Sequence, residues 1–355
     1  MQRAPSQAGF GAAVLRLPLF LLVFGLFSAA MLVPAVYAGL LREHETGRAF
    51  LYSGLLGLII FGLIGLAHAG RDPRHGMLGP LMSLFGCFVF LPLALAVPFY
   101  EGLQTTSFFN AYVEMVSAIT TTGATLFEDP ERLNPALHLW RAQVAWMGGL
   151  VMWVAASAIL APLNLGGFEV TARAEPGRRS NIDVGMAAPE VRVRIAKVGG
   201  VLVPIYLGLT ALLVVLLRIA GDEPFVALCH GMSIMATSGI SPVGGLDQGN
   251  SGVTGEAVMI LFMLFALSRL TFSLDTVSQG SGNLLRDPEF RLGVGLVLAV
   301  PIFLFLRHFA GAIDVDTQEN AADAARALWG SGFTVMSFLT TTGFASGYWS
   351  DAQAW

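Results

Sequence analysis

Charge is what this chain of 355 residues has least of: Asp, Glu, Lys and Arg together make up 12% of it, against roughly 25% in soluble globular proteins. So little polar surface cannot wrap a water-soluble core of this size. With 55% hydrophobic residues and a mean hydropathy of +0.68, the composition is that of a membrane protein. Cysteine is almost missing. Cys87 and Cys229 stand alone in apolar surroundings, outside any CxxC spacing, and read as small buried hydrophobes. The six histidines (His44, His68, His75, His138, His230 and His308) show no ligand spacing, so no resident metal site is expected. A GxxxxGK[ST] phosphate loop and a GxGxxG fingerprint are also lacking. That argues against an ATP-driven pump, and neither an organic cofactor nor a nucleic-acid partner is expected.

What the chain does have is long uncharged runs. A helix needs roughly 20 apolar residues to cross about 30 Å of hydrocarbon. Such runs occur at Leu17–Leu41, Ala49–Gly70, Gly76–Tyr100, Ala142–Phe168 and Val198–Leu217. A sixth, Gly249–Ser268, is interrupted by Glu256, and a shorter seventh, Leu292–Leu306, is bracketed by Arg291 and Arg307. The first run follows Arg3 and Arg16 but far exceeds the roughly 7–15 residues of a secretory signal core, so it is read as a retained transmembrane helix. With the N-terminus in the cytoplasm and the spans alternating, 13 of the 20 Lys and Arg residues fall inside and 7 outside, as the positive-inside rule requires. The outside loops carry acids, Asp222, Glu223 and Asp247 among them. At a pore mouth these raise the local cation concentration; otherwise they are solvated loop charges.

Three further apolar stretches, Gly102–Ile119, Pro224–Thr237 and Arg326–Thr341, are too short or too interrupted to cross. Each closes on a Ser/Thr/Gly cluster, and the three clusters share one frame, S-x-x-[TA]-T-[TS]-G. They read Ser117 to Gly123, Ser233 to Gly239 and Ser337 to Gly343, with starts 116 and 104 residues apart. Three copies in register define a repeat. Segments that enter the membrane and turn back are tolerated only where protein or a water-filled cavity satisfies the backbone. The chemistry fits a dehydrated cation, whose water shell is replaced by oxygens, backbone carbonyls above all. Glycine allows the backbone to turn them inward, and a half-helix aims its partly negative C-terminal end at the ion.

At these residues the chain resembles the Trk/Ktr potassium-uptake family. The first copy runs on through Gly123-Ala124-Thr125 to Trp140-Arg141 and Trp146-Met147-Gly148-Gly149. Gly166-Gly167-Phe168, Arg173-Ala174-Glu175-Pro176-Gly177 and Ile205-Tyr206-Leu207-Gly208-Leu209-Thr210 resemble the family's linker into a second repeat. Ser241 after the second copy and Phe344 after the third match its later filter loops. Two extra helices before the first repeat favour the TrkH-like branch.

The resemblance implies an all-α polytopic membrane protein, with repeated helix–re-entrant pore loop–helix units around a pseudo-fourfold pore. The expected layout is a two-helix extension (1–74), pore repeat 1 (75–170), a cytoplasmic linker (171–190), repeat 2 (191–280) and an incomplete repeat 3 (281–355). It also implies potassium uptake across a bacterial inner membrane, a homodimer in lipid, and a cytosolic nucleotide-binding, TrkA-like regulatory subunit. Carried over, the filter glycines are Gly123, Gly239 and Gly343, and Thr121, Thr122, Thr237, Ser238, Thr341 and Thr342 flank the ion path. The family's fourth filter loop has no counterpart before Trp355, so a fragment, or a pore completed by another chain, is expected.

The alternatives are a different cation-coupled transporter with broken helices at the midplane, and a membrane-embedded enzyme, for which no cluster of nucleophile, base or metal ligands is visible. Glu114, His230 and Thr334 share one frame position, three before each motif serine, and read as packing or loop bracing. Trp140 and Arg141 read as an interface anchor or, for Arg141, as a brace of the first loop. Gly54, Gly57, Gly62 and Gly65 are expected to let helices approach closely.

Overall fold

The structure is a computed structural model that describes residues 17–68, 78–160, 188–267, 287–312 and 321–350. The linker motifs between Gly166 and Gly177 lie outside the described residues, as does most of the basic segment Arg173–Lys197. Among the described residues there is no β-strand, and six helices are long and apolar enough to cross a membrane. The protein is therefore an all-α, multi-pass membrane protein. The chain forms two compact units.

One unit contains the described residues up to Ile119, with Asn134–Trp140 and Val151–Val203. Its first span is two helices, α1 (Leu19–Ala30) and α2 (Leu32–Leu40), joined at Met31. Then come α3 (His44–His68), α4 (Leu78–Val89), α5 (Leu91–Leu103) and α6 (Phe108–Ile119). The run expected at Gly76–Tyr100 is likewise two helices, broken at Phe90 just ahead of Pro92. Proline is tolerated in the first turn of a helix because its missing N–H would be unsatisfied there anyway. α7 (Pro135–Ala155) also opens on a proline, behind Asn134, whose Oδ1 accepts the Leu137 N–H at 3.0 Å. The same Asn134 donates through Nδ2 to Thr46 Oγ1 (2.7 Å), and Thr46 donates on to the Gly102 carbonyl (3.3 Å). A relay of three short side-chain bonds thus joins the start of α3, the end of α5 and the start of α7.

Trp140 is not an interface anchor. It is fully buried, its ring lies edge-on to Phe50 at 5.5 Å, and its indole N–H donates to the Leu95 carbonyl at 3.2 Å. A buried indole needs such an acceptor, and helix α5 supplies it. The glycines of α3 divide. A Cβ at Gly54 would lie 3.0 Å from the Ser28 carbonyl oxygen, and one at Gly57 would lie 2.8 Å from the Ser28 Cβ, so both glycines let α3 close on α1. A Cβ at Gly62 would meet nothing, and one at Gly65 would make only ordinary contact with Leu17.

The other unit contains Thr120–Leu133, Arg141–Leu150 and the described residues from Pro204 on. It includes the end of α8 (Ala188–Ala220), then α9 (Pro224–Ala236), α10 (Gly252–Met263, followed by a 3₁₀ turn at Leu264–Leu267), α11 (Pro288–Ala312) and α12 (Ala321–Leu339). Leu213, Leu217, Ala227, Ile234, Met259, Phe262, Met263, Phe333, Met336 and Phe344 pack into one apolar core. α6 has 12 residues and α9 has 13. At 1.5 Å per residue each reaches only about 20 Å, short of the hydrocarbon thickness. α12 starts five residues earlier than the apolar pattern indicates, because its first turns, Ala321 to Arg326, are alanine-rich and helical although Asp323 and Arg326 interrupt them.

The glycine contacts yield a prediction for purified protein in detergent. Gly57→Val forces α3 off Ser28 and lowers stability by about 1–3 kcal/mol, as overpacking does, whereas Gly62→Val leaves it nearly unchanged. Paired thermal melts would show the difference, and equal melts would contradict the close approach.

Candidate functional site

Half-helices α9 and α12 end in the same way. The Thr237 N–H donates to the Ile234 carbonyl (3.1 Å) and the Ser238 N–H to the Ser233 carbonyl (3.0 Å). In α12 the Thr341 N–H donates to Phe338 (3.0 Å) and the Thr342 N–H to Ser337 (2.8 Å). This crossed pair of bonds is the Schellman closure, which satisfies helix-end carbonyls when the residue after the cap turns left-handed. That residue is usually glycine. Here it is threonine, with φ of 49° at Thr237 and 59° at Thr341, and Thr121 in the first loop has φ of 55°. A β-branched residue in that region is a conformational outlier, held at a cost on the order of 1–3 kcal/mol. Nothing in the motif marks these threonines as strained until the backbone is seen.

Two residues on, each motif glycine is also left-handed: Gly123 at φ 73°, Gly239 at 63° and Gly343 at 86°. Their surroundings order the loops. A Cβ on Gly123 would run into the carbonyl of Ser238, and one on Gly239 into the carbonyl of Thr342, while one on Gly343 would meet nothing. The first loop therefore nests on the second and the second on the third, all within one compact unit. The sequence-expected residues Gly123, Ser238, Gly239, Thr342 and Gly343 come together, with Thr121, Thr122, Thr237 and Thr341 in the same three turns.

The hydroxyls are used inside the loops. Thr120 bonds Thr122 at 2.8 Å and Thr340 bonds Thr342 at 2.9 Å. Where the second copy has Ala236 instead, Ser238 turns to Ser233 (3.1 Å). Ser238 and Thr342 are almost fully buried. These side chains stiffen the turns, which leaves backbone carbonyls as the oxygens in greatest supply.

In the second and third copies the frame position three before the motif serine holds the loop exit. His230 Nε2 is 2.9 Å from Ser241 Oγ, and Thr334 Oγ1 accepts the Ser346 N–H at 3.1 Å. Glu114, in the other unit, is buried on α6. Two acids prove structural. Asp222 is neither a solvated loop charge nor a mouth charge: it is completely buried, and its Oδ1 accepts the N–H groups of Asn250 (3.0 Å) and Ser251 (2.9 Å) at the start of α10. Its Oδ2 lies 3.6 Å from His230 Nδ1. Glu256 on α10 accepts from Trp329 Nε1 (2.6 Å), the Gly347 N–H (2.7 Å) and the Ser346 hydroxyl (2.8 and 2.9 Å). An acid inside an otherwise apolar run was its sequence signal. Asp222 had none to separate it from its exposed neighbour Glu223.

Burial pushes the Asp222 carboxyl up, but the nearby His230 ring and the hydrogen bond from Ser251 outweigh it, so the group sits below its usual value of 3.8. A carboxyl depressed in the folded state stabilises the fold above its unfolded value, and that contribution is lost as pH falls through the folded one. Melting temperature should therefore drop on acidification below about pH 4, and Asp222→Asn should lower it at neutral pH while flattening that acid limb. The glycines make a separate prediction. Gly123→Ala and Gly239→Ala suffer both strain and collision, whereas Gly343→Ala suffers strain alone, about 1–2 kcal/mol. Melts should rank Gly343→Ala as clearly the mildest of the three.

No protein-family model matches the chain. Among curated proteins, it is 28% identical over 344 residues to the Trk system potassium uptake protein TrkH of Vibrio parahaemolyticus, covering 93% of this chain and 66% of that protein. It is 31% identical over 273 residues to TrkI of Halomonas elongata, covering 76% and 49% respectively. To TrkH of Escherichia coli K12 it is 27% identical over 335 residues, covering 90% and 64%. The chain thus spans less than two thirds of the length of these relatives. Among solved structures, the crystal structure of the potassium transporter TrkH from Vibrio parahaemolyticus matches with a TM-score of 0.70 at 27% identity, covering 94% of this chain and 65% of that one. In sequence and in fold, the chain is similar over most of its length to Trk-system potassium uptake proteins.

Proposed function

We propose that this chain contributes three sides of a potassium-uptake pore, with the loops at Gly123, Gly239 and Gly343 as its filter. The nesting of each loop's glycine on the next loop's carbonyl carries the reading. It sets three left-handed turns side by side where short half-helices end, which suits a cation that exchanges water for carbonyl oxygens. α9 and α12 direct their partly negative ends to the same turns. Thr121, Thr122, Thr237, Ser238, Thr341 and Thr342 line or stiffen the path. Each repeat is a helix, a pore loop and a helix, within the layout 1–74, 75–170, 171–190, 191–280 and 281–355. The protein works in the bacterial inner membrane with its N-terminus in the cytoplasm, as a homodimer with a TrkA-like nucleotide-binding partner. Its cargo is potassium, and it needs no organic cofactor and performs no enzymatic step.

The test is rubidium uptake, with growth on low potassium, in bacteria stripped of their own potassium transporters and expressing the full reading frame that carries this sequence. Uptake should appear, and Gly123→Asp should abolish it at equal membrane abundance. A protein that inserts in the membrane yet moves no rubidium overturns the proposal.

A further inference from the structure

Glu256 is the acid that the apolar pattern of α10 cannot explain. It is 3% exposed, in a helix otherwise built of residues such as Val258, Ile260 and Leu261. An ionisable group in such surroundings is expensive unless its partners are complete. Here they are: three donor groups from the third repeat converge on its two oxygens. Trp329 Nε1 and the Ser346 hydroxyl lie 2.6 and 2.8 Å from Oε2, and the Gly347 N–H and the same hydroxyl lie 2.7 and 2.9 Å from Oε1.

The position of those donors is what matters. Ser346 and Gly347 stand three and four residues beyond Gly343, on the segment by which the third loop leaves its turn. α12 holds the same segment from the other side. Thr334 accepts the Ser346 N–H, and Gly330 leaves room for the Tyr348 carbonyl, whose oxygen a Cβ there would approach to 2.6 Å. Ser346 Oγ in turn accepts the Tyr348 N–H at 3.1 Å. α12 fixes the start of the turn through its closure at Thr341 and Thr342. Glu256 hydrogen-bonds its exit to the second repeat, beside the edge-on contact of Phe344 with His230 at 5.5 Å. The Thr342 carbonyl, inside this clamped span, is the one on which Gly239 nests.

We propose that Glu256 is a positioning residue for ion discrimination, setting the third loop through Ser346 and Gly347 without itself touching the ion. The inference rests on the potassium-uptake reading above. A glutamine cannot replace it. One of its two terminal atoms is an NH₂ donor that would face the Gly347 N–H or the Trp329 N–H, donor against donor. Aspartate keeps two acceptors at shorter reach. Ser346→Ala removes the hydroxyl that bridges both oxygens and leaves the acid in place.

The experiment measures rubidium and sodium uptake by the full protein in the same stripped bacteria, for wild type, Glu256→Gln, Glu256→Asp, Ser346→Ala and the double variant Glu256→Gln/Ser346→Ala. Membrane abundance and melting temperature are recorded for each. Loss of a buried hydrogen bond to an ionisable group is large enough to change discrimination about tenfold. The rubidium-to-sodium ratio should fall by about that much in Glu256→Gln and in Ser346→Ala, no further in the double variant, and less in Glu256→Asp. A merely structural role would lower abundance and both fluxes together without moving the ratio, and that result overturns the proposal. If Glu256→Gln fails to accumulate, Ser346→Ala decides alone: an unchanged ratio there also overturns it. Wild type that moves no rubidium removes the uptake reading and this inference with it, whereas wild-type uptake with unshifted variants removes the inference only.

Discussion

A chain that turns back inside a membrane must satisfy its own backbone, because hydrocarbon offers no hydrogen bonds and each unmet group costs several kcal/mol. The three loops of this protein are shaped by that demand. In α9 and α12 the last carbonyls are taken up by the N–H groups of the next two residues. The price is a left-handed threonine at each end. The hydroxyls at Thr120, Thr340 and Ser233 then tie the turns from within, and polar residues on the helices tie their exits. What such turns leave over is a surplus of carbonyl oxygen, the feature on which the proposed cation path rests.

The fold was legible in the sequence because lipid makes composition and run length decisive. Runs such as Leu17–Leu41 and Ala49–Gly70 became the spans Leu19–Leu40 and His44–His68, and the short stretches became the half-helices α6, α9 and α12. The break at Met31 was not legible, since Met31 interrupts no apolar pattern, whereas Pro92 marks the one at Phe90 in the sequence. The juxtaposition of the loops followed from a repeat that could be read by eye. Its order, Gly123 on Ser238 and Gly239 on Thr342, could not, because a one-dimensional motif carries no information about which carbonyl each glycine faces.

The polar residues show the other limit. Trp140 and Asp222 look like residues of an interface and a loop, and both are buried, each for a partner distant in sequence: Leu95 for the indole, Asn250 and Ser251 for the carboxyl. Propensity and hydropathy score a residue by its own chemistry. Burial of a polar group depends on whether complementary groups arrive, which only the tertiary structure decides. Glu256 was conspicuous because its neighbours in sequence are apolar, yet its role is set by Trp329, Ser346 and Gly347, some 73 to 91 residues away.

The nesting of the loops has a direction. Each contact pairs a glycine on one repeat with a carbonyl on the next, two different surfaces, so it is heterologous in the sense used for subunits that assemble head to tail. A substitution at Gly123 or Gly239 consequently strains its own left-handed turn and also presses on the repeat ahead. Damage at Gly123 is displayed in the second loop, and damage at Gly239 in the third. The structural change caused at either glycine would therefore extend one repeat beyond the residue substituted.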